Sequence, residues 1–397
     1  MNRTTPHRLA LAIGAVQLFL ALAWTVYVVF LPKLATEAGI APVAVPWLLA
    51  LDQLVFAVCD WAAGVWADRA GRVVGRIGIL MVTATFLSCL AFAALPFVAP
   101  HADKRLLLAL IVVWSATSSA LRAPPLVLLG RHAPRPSQPF LAALLLLGFG
   151  IAGAASPSLA ALMRDVDARI PFVLASLALF AVTWVLALAE SALPAAHPAA
   201  PPPEPARAVH GSSLAWFLFA MILLGAGFQV HVAINGGPAY LRFVAAEMLD
   251  RLMPLFWIGF SLAAVPGALL ARAWGGPLAM AFGAVIAALA AFVVAATTYV
   301  DTVIAAQLIS GAAWGLVMTS ALAAALAFGH TGAEGKFAGG LFSMLALATL
   351  ARFAAVATGT LAAPEVSGLL PWTPTVAWLL AAMVLLCMLA AGKARGA

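Results

Sequence analysis

The chain has 397 residues, of which 65% are hydrophobic and only 9% are charged, with a formal net charge of +7. A soluble domain carries roughly 25% charged residues, so these charges are too few to cover a water-soluble fold. Inside a bilayer only helices or closed barrels satisfy every backbone hydrogen bond, and the apolar runs here are far longer than the ~10-residue segments of a barrel. We therefore predict an all-α integral membrane protein.

Twelve apolar runs along the chain are long enough to span a membrane, which takes about 20 residues. The first six lie at 8–31, 45–66, 73–99, 105–130, 139–163 and 169–190. The second six lie at 213–235, 250–272, 277–299, 302–329, 336–362 and 371–391. The first run exceeds the roughly 7–15 apolar residues of a signal peptide, so we interpret it as an uncleaved span.

The segment 191–212 separates the two sets of runs and is rich in proline. Its prolines are Pro194, Pro198, Pro201, Pro202, Pro203 and Pro205. Such a segment is extended and acts as a semi-rigid linker. We expect an N-terminal six-helix bundle at 1–190, a cytoplasmic linker at 191–212 and a C-terminal six-helix bundle at 213–397.

The Lys and Arg residues of the loops predict the orientation, because cytoplasmic loops carry the larger share of them. With the N-terminus inside, residues such as Arg69, Arg131 and Arg207 fall on the cytoplasmic side, and this group outnumbers that of the outer loops. We therefore expect both termini in the cytoplasm and the chain in the cell membrane, with the lipid bilayer as its solvent.

A charged, glycine-rich stretch at 64–76 separates the second and third runs and begins with the pattern G-x-x-x-D-R-x-G-R. Its defining residues are Gly64, Asp68, Arg69, Gly71 and Arg72. Because charges are costly in hydrocarbon, we expect a short loop outside the membrane. Any short cytoplasmic loop also collects arginine, so the motif has to be considered together with the number of spans.

A fainter copy of this motif follows the eighth run. Gly267 and Arg272 repeat Gly64 and Arg69 at one constant offset, while Ala271 stands in place of the acid. A copy at the same point of each half fits two parallel six-helix repeats.

The twelve runs in two sets, the linker, the motif and its copy together resemble the major facilitator superfamily over essentially the whole chain. The resemblance implies a transporter whose two bundles rock about a central site, with a small-molecule substrate reached from one side at a time. It implies a monomer. It also implies that the motif residues help to close the cytoplasmic side, namely Gly64, Asp68, Arg69, Gly71 and Arg72.

The fifth run resembles, in degraded form, the helix-5 motif of the drug and metabolite antiporters in that superfamily. Its small residues are Gly148, Gly150, Gly153 and Ser156, with serine before Pro157 where the motif has glycine. Two interpretations remain open, an antiporter or an ordinary packing face of small residues.

Asp60 and Arg122 are charged residues inside predicted spans, where a charge needs a partner or a function. At about 1.5 Å per residue, Asp60 lies ~12 Å from the end of its span at Asp68, and Arg122 lies ~13 Å from the end of its span at Arg131. The matching depths predict an ion pair. It is either a static pair or a switch, in which protonation of Asp60 frees Arg122 for an anionic substrate group.

Asp52 and Arg352 lie closer to the outer side, in the second and eleventh runs. Helices at those positions face each other in the superfamily, so the resemblance implies an ion pair that holds the outer side closed. Alternatively, Arg352 binds an anionic substrate, or either side chain extends to the outer interface.

The seventh run contains His231 and Asn235, which are four residues apart and so share a helix face. The glycines after Asn235 predict a helix break at membrane depth, which is tolerated where the backbone lines a cavity. We predict that His231 and Asn235 contact substrate, with His231 a candidate proton carrier, and that Gln17 and Gln307 complete the lining. A buried histidine bonded only to a neighbouring helix is the alternative.

No nucleotide-binding, metalloprotease or hydrolase motif occurs in the chain, and its three cysteines have no disulfide or zinc spacing. We therefore expect no enzyme, no cofactor, no metal and no nucleic-acid partner. The sequence favours secondary active transport of a small polar or anionic organic solute by alternating access, coupled to protons (H+). The alternatives are a drug or metabolite efflux antiporter and a non-transporting sensor or assembly protein with the same fold.

Overall fold

The computed structural model of the protein describes residues 5–73, 77–101, 103–132, 135–192, 211–329 and 332–394. Within these ranges every regular element is helical and no strand occurs. Twelve of the described helical segments are long and apolar enough to cross a membrane, which confirms the predicted fold class.

The twelve spans are numbered α1 to α12 in chain order. The first six are His7–Glu37, Pro42–Ala70, Gly78–Val98, Lys104–His132, Gln138–Leu162 and Arg169–Ser191. The second six are Ser213–Ile234, Ala246–Trp274, Gly276–Ala296, Val300–Gly329, Glu334–Ala357 and Thr373–Gly392. Residues 193–210, most of the predicted linker, lie outside the described residues, so the boundaries of the two bundles stay a prediction.

Helices α2 and α11 cross in close contact, and glycines make this contact close. A Cβ added to Gly64 would overlap the carbonyl oxygen of Gly335, and a Cβ added to Gly335 would overlap that of Gly64. A Cβ on Gly339 would come 2.5 Å from the carbonyl oxygen of Asp60. Lipid is as apolar as the side chains, so helices in a bilayer associate largely through such close packing.

Helices α5 and α8 form a second contact between the first and the second six spans. The rings of Trp257 and Phe260 in α8 occupy the space that side chains at Gly153 and Gly150 in α5 would need. Phe149 of α5 packs edge-on against Trp257, with 5.4 Å between the ring centroids. The glycine-rich segment of the fifth run therefore serves as a packing face for α8.

We expect Gly339→Ala to destabilise the protein, because the new methyl group meets the backbone of α2 and overpacking of this kind costs about 1–3 kcal/mol. Gly340→Ala is the matched control on the same helix. Its nearest contact is the side chain of Leu218 at 3.4 Å, and alanine favours a helix over glycine by about 0.5–1 kcal/mol. Melting temperatures of the two variants, measured in one detergent, test this expectation: the melting temperature should fall for Gly339→Ala and should not fall for Gly340→Ala. An unchanged or higher value for Gly339→Ala would contradict the close crossing.

Candidate functional site

Arg122 lies where α4 is interrupted, between the helices Lys104–Ser118 and Pro124–His132. Two consecutive prolines begin the second helix, and neither has an N–H group to donate to the turn before it. The carbonyl of Leu121 thereby loses its helical partner, and the amide of Gln17 in α1 donates to it at 2.6 Å. The sequence analysis missed this interruption, although the Pro-Pro pair is its signal. Gln17, predicted to line the site, is buried and bonded to α4.

Asp60 in α2 and Arg122 are in contact, as their depths predict. Nη1 of Arg122 lies 2.8 Å from Oδ2 of Asp60. The aspartate side chain is completely buried, whereas the arginine side chain is 24% exposed. A charge in the bilayer interior is tolerated when it is paired, so each residue accounts for the presence of the other.

The ion pair leaves polar groups of both residues unused. No described residue donates a hydrogen bond to Oδ1 of Asp60, and none accepts one from Nε or Nη2 of Arg122. The guanidinium instead lies over two rings, 4.7 Å from the centroid of Phe56 in α2 and 5.5 Å from that of Phe342 in α11. We call these four residues the anion site, since spare N–H donors on a partly exposed guanidinium can bind a carboxylate.

The predicted ion pair between Asp52 and Arg352 is not formed in this structure. The buried carboxylate of Asp52 accepts hydrogen bonds from the hydroxyl of Tyr27 at 2.7 Å and from that of Ser115 at 2.6 Å. Both donors lie in the first six spans, so the carboxylate is satisfied without a cation. Arg352 packs over the ring of Phe353, 3.8 Å from its centroid, and its Nε is buried without a hydrogen bond to any described residue.

His231 and Gln307, two of the predicted lining residues, bond to each other. Nε2 of the histidine lies 3.1 Å from Oε1 of Gln307 in α10, and both side chains are buried. The rings of Phe256 and Trp378 pack around the imidazole, at 6.1 Å and 5.2 Å between centroids. The cavity beside Gln307 has a volume of about 10 Å³, too small for an organic solute. This is the arrangement of a histidine bonded to a neighbouring helix.

The helix break predicted near Asn235 is a π turn rather than an end of the helix. The π turn covers Gln229–Ile234, and an α-helix resumes at Gly236–Leu241. The side chain of Asn235 donates to the carbonyl of Leu370, in the segment before α12, at 2.8 Å. His231 and Asn235 therefore bond to different elements, and neither forms a hydrogen bond with Arg122.

Asp68 of the glycine-rich motif holds the first turn of α11. Its two carboxylate oxygens accept hydrogen bonds from the backbone N–H groups of Gly335 and Lys336, each at 2.8 Å. A carboxylate in this position satisfies N–H groups that have no helical partner and opposes the positive end of the helix dipole. We call these three residues the gate, because they join the first six spans to the second six at one end of the molecule.

The motif begins on a helix, so the prediction of a loop from Gly64 onward was wrong. The helix that contains α2 continues to Val73. Asp68 stays helical because the N–H groups of α11 satisfy its charge, and it is only 3% exposed. Arg69 is exposed. The side chain of Arg72 and residues 74–76 lie outside the described part of the chain, and Gly71 is in the last helical turn.

Glu190 at the end of α6 is a second capping carboxylate, which the sequence analysis did not single out. It accepts hydrogen bonds from the N–H groups of Ile77 at 2.9 Å and Gly78 at 2.5 Å, at the start of α3. The sequence feature that could have identified it is an acidic residue at the end of the sixth apolar run. In the second half, Ala271 occupies the position that corresponds to Asp68, and it is a buried residue without a carboxylate.

The sequence and the structure were compared with known proteins. The family described as Major Facilitator Superfamily matches residues 13–351 of the chain. No curated protein sequence matches the chain significantly.

Solved structures with a similar fold include the human organic anion transporter MFSD10 (TETRAN), with a TM-score of 0.75 and 14% identity over 96% of this chain and 99% of that one. A bacterial homologue of the iron transporter ferroportin, in an outward-facing state, has a TM-score of 0.71 and 14% identity over 96% and 99%. The E. coli fucose:proton symporter FucP has a TM-score of 0.67 and 13% identity over 97% and 98%. At these identities the likeness concerns the fold alone.

The family match covers most of the chain, and the fold, the number of spans and the motif at Gly64 all agree with it. The chain belongs to the Major Facilitator Superfamily and is a multi-pass membrane protein of this family of transporters.

Proposed function

We propose that the protein is a secondary active transporter that binds a small organic anion at Arg122 and couples its movement to protons through Asp60. The observation that carries the proposal is the partly exposed guanidinium of Arg122, which has unused N–H donors beside a buried carboxylate. An arginine in the membrane interior is costly and therefore marks a functional site by default. The structural neighbours contribute only the fold to this argument.

The proton and the anion act on one guanidinium. While Asp60 is ionised, its carboxylate holds Arg122 at 2.8 Å and repels a second anion. A proton on Asp60 removes this negative charge, so the guanidinium becomes free to bind a substrate carboxylate in its place. Binding of the anion and of the proton then favour each other, which couples their movement in one direction.

The gate supplies the alternating access that this mechanism requires. With Asp68 bound to the start of α11, the first and the second six spans are held together at the side that we propose to be cytoplasmic. Release of these hydrogen bonds allows α2 and α11 to separate, and the anion site between them becomes reachable from that side. The protein acts as a monomer in this scheme and needs no cofactor.

We expect Asp60→Asn to bind organic anions with an affinity that no longer depends on pH, because the neutral amide cannot compete for Arg122. In the unmodified protein the affinity rises as the pH falls, since protonation of Asp60 frees the guanidinium. Calorimetric titration with a mixed panel of carboxylates, at acid and at neutral pH, measures the affinity of the variant and of the unmodified protein. Proteoliposomes with Asp60→Asn should exchange the anion but not accumulate it against a gradient.

Arg122→Gln should lose anion binding at least about tenfold, which corresponds to the loss of one charge-assisted hydrogen bond. This variant also leaves Asp60 buried without its partner, so its melting temperature should fall. The double variant Asp60→Asn with Arg122→Gln restores stability but not transport, and it separates the two effects. If both single variants transported and bound normally, the ion pair would be merely structural.

Asp68→Ala should accelerate hydrogen–deuterium exchange at the first turn of α11 by about two- to thirtyfold, because a lost cap weakens a helix end by about 0.5–2 kcal/mol. Glu190→Ala is the matched control, since it removes an equivalent cap from α3 within the first six spans. It should accelerate exchange only at the start of α3. Unchanged exchange at Gly335 and Lys336 in Asp68→Ala would contradict the gate.

A further inference from the structure

We propose that the anion is an aryl carboxylate, a carboxylate carried on a flat aromatic body. This inference rests on the proposed function, because it concerns what the anion site binds next to Arg122. The observation behind it is that two aromatic rings contact the guanidinium.

Two rings contact Arg122, and a third ring from another helix packs on one of them. Phe56 and Phe342 contact the guanidinium directly, at 4.7 Å and 5.5 Å. Trp24 of α1 packs against Phe56, with 5.9 Å between ring centroids. Trp24 and Phe342 are half-buried, so their surfaces become accessible when the helices separate. A carboxylate bound to the guanidinium would therefore place its carbon skeleton among aromatic faces.

The half-buried polar side chains between neighbouring helices are already bonded to each other. Thr25 of α1 and Ser156 of α5 share a hydrogen bond of 2.8 Å. Gln229 of α7 donates to Thr349 of α11 at 2.9 Å. His231 is likewise bonded to its neighbour in α10. These side chains are therefore less available to the hydroxyl groups of a solute, because each would first have to give up its present hydrogen bond.

Aromatic rings also form the contact between α5, α7 and α8. Phe228 of α7 and Trp257 of α8 are half-buried rings, with 5.9 Å between their centroids. Trp257 also contacts Phe149 of α5, across the boundary between the first and second six spans. Aromatic pairs gain from offset-stacked and edge-on geometry in addition to their buried area. One cation in contact with two aromatic rings therefore favours a single negative charge on a flat, apolar body.

The test compares four probes that differ in one property each, with purified protein at one fixed pH. Benzoate has the charge and the ring, cyclohexanecarboxylate the charge without the aromatic ring, benzyl alcohol the ring without the charge, and glucuronate the charge with hydroxyl groups. We expect benzoate to bind about two- to tenfold more tightly than cyclohexanecarboxylate, the range of an aromatic contact. Benzyl alcohol and glucuronate should bind more weakly than either.

The variant Phe342→Leu should lower the ratio of the benzoate affinity to the cyclohexanecarboxylate affinity toward one. Phe180→Leu is the matched control, because Phe180 is also half-buried but packs with Phe86 and Trp184 at the α3–α6 contact. It should keep the preference.

The outcomes separate this inference from the proposed function. Equal affinity for benzoate and cyclohexanecarboxylate, or tighter binding of glucuronate, would overturn the aryl preference and leave the anion site intact. Benzyl alcohol binding as tightly as benzoate, or no binding of any carboxylate, would overturn the anion site itself and the preference with it.

Discussion

Where α2 and α11 cross, no side chain separates the two backbones at Gly64 and Gly335. This contact determines the register of the two helices, and the positions of the candidate site residues follow from it. At one end it places the carboxylate of Asp68 on the first turn of α11. Further along the same pair of helices it brings Phe342 to the guanidinium that Asp60 holds. A larger side chain at the crossing would therefore disturb the gate and the anion site together.

Four buried acids of this protein show how a membrane protein keeps carboxylates in a solvent that cannot hydrate them. Asp60 has a cation, Asp52 has two hydroxyl donors, and Asp68 and Glu190 have the free N–H groups of helix ends. In the first arrangement two side chains of opposite charge meet, and the cation keeps spare donors. A site that binds and releases an anion needs such spare capacity, whereas a fully satisfied group contributes mainly to structure.

Sequence alone was sufficient for the features that depend on hydropathy and depth. The twelve spans follow from apolar length, and the contact of Asp60 with Arg122 follows from the rise of a helix and the cost of an isolated charge. The sequence was insufficient to identify the partner of a buried acid where that partner is a neutral side chain or a backbone N–H group. The hydroxyl groups that satisfy Asp52 and the N–H groups that Asp68 binds carry no charge pattern, so charge matching assigned Asp52 to Arg352. The roles of the candidate residues in transport remain predictions.

At the position of the second half that corresponds to Asp68, Ala271 supplies no carboxylate. A charged cap at a partly buried helix end contributes about 1–2 kcal/mol, which corresponds to about a five- to thirtyfold change in population. The two parallel repeats put Ala271 at the same end of the molecule as Asp68, so a carboxylate holds the α2–α11 crossing there and position 271 supplies none to the α5–α8 crossing. In the proposed mechanism the two crossings at this end should therefore open at unequal free-energy cost, with α8 leaving α5 more readily than α2 leaves α11.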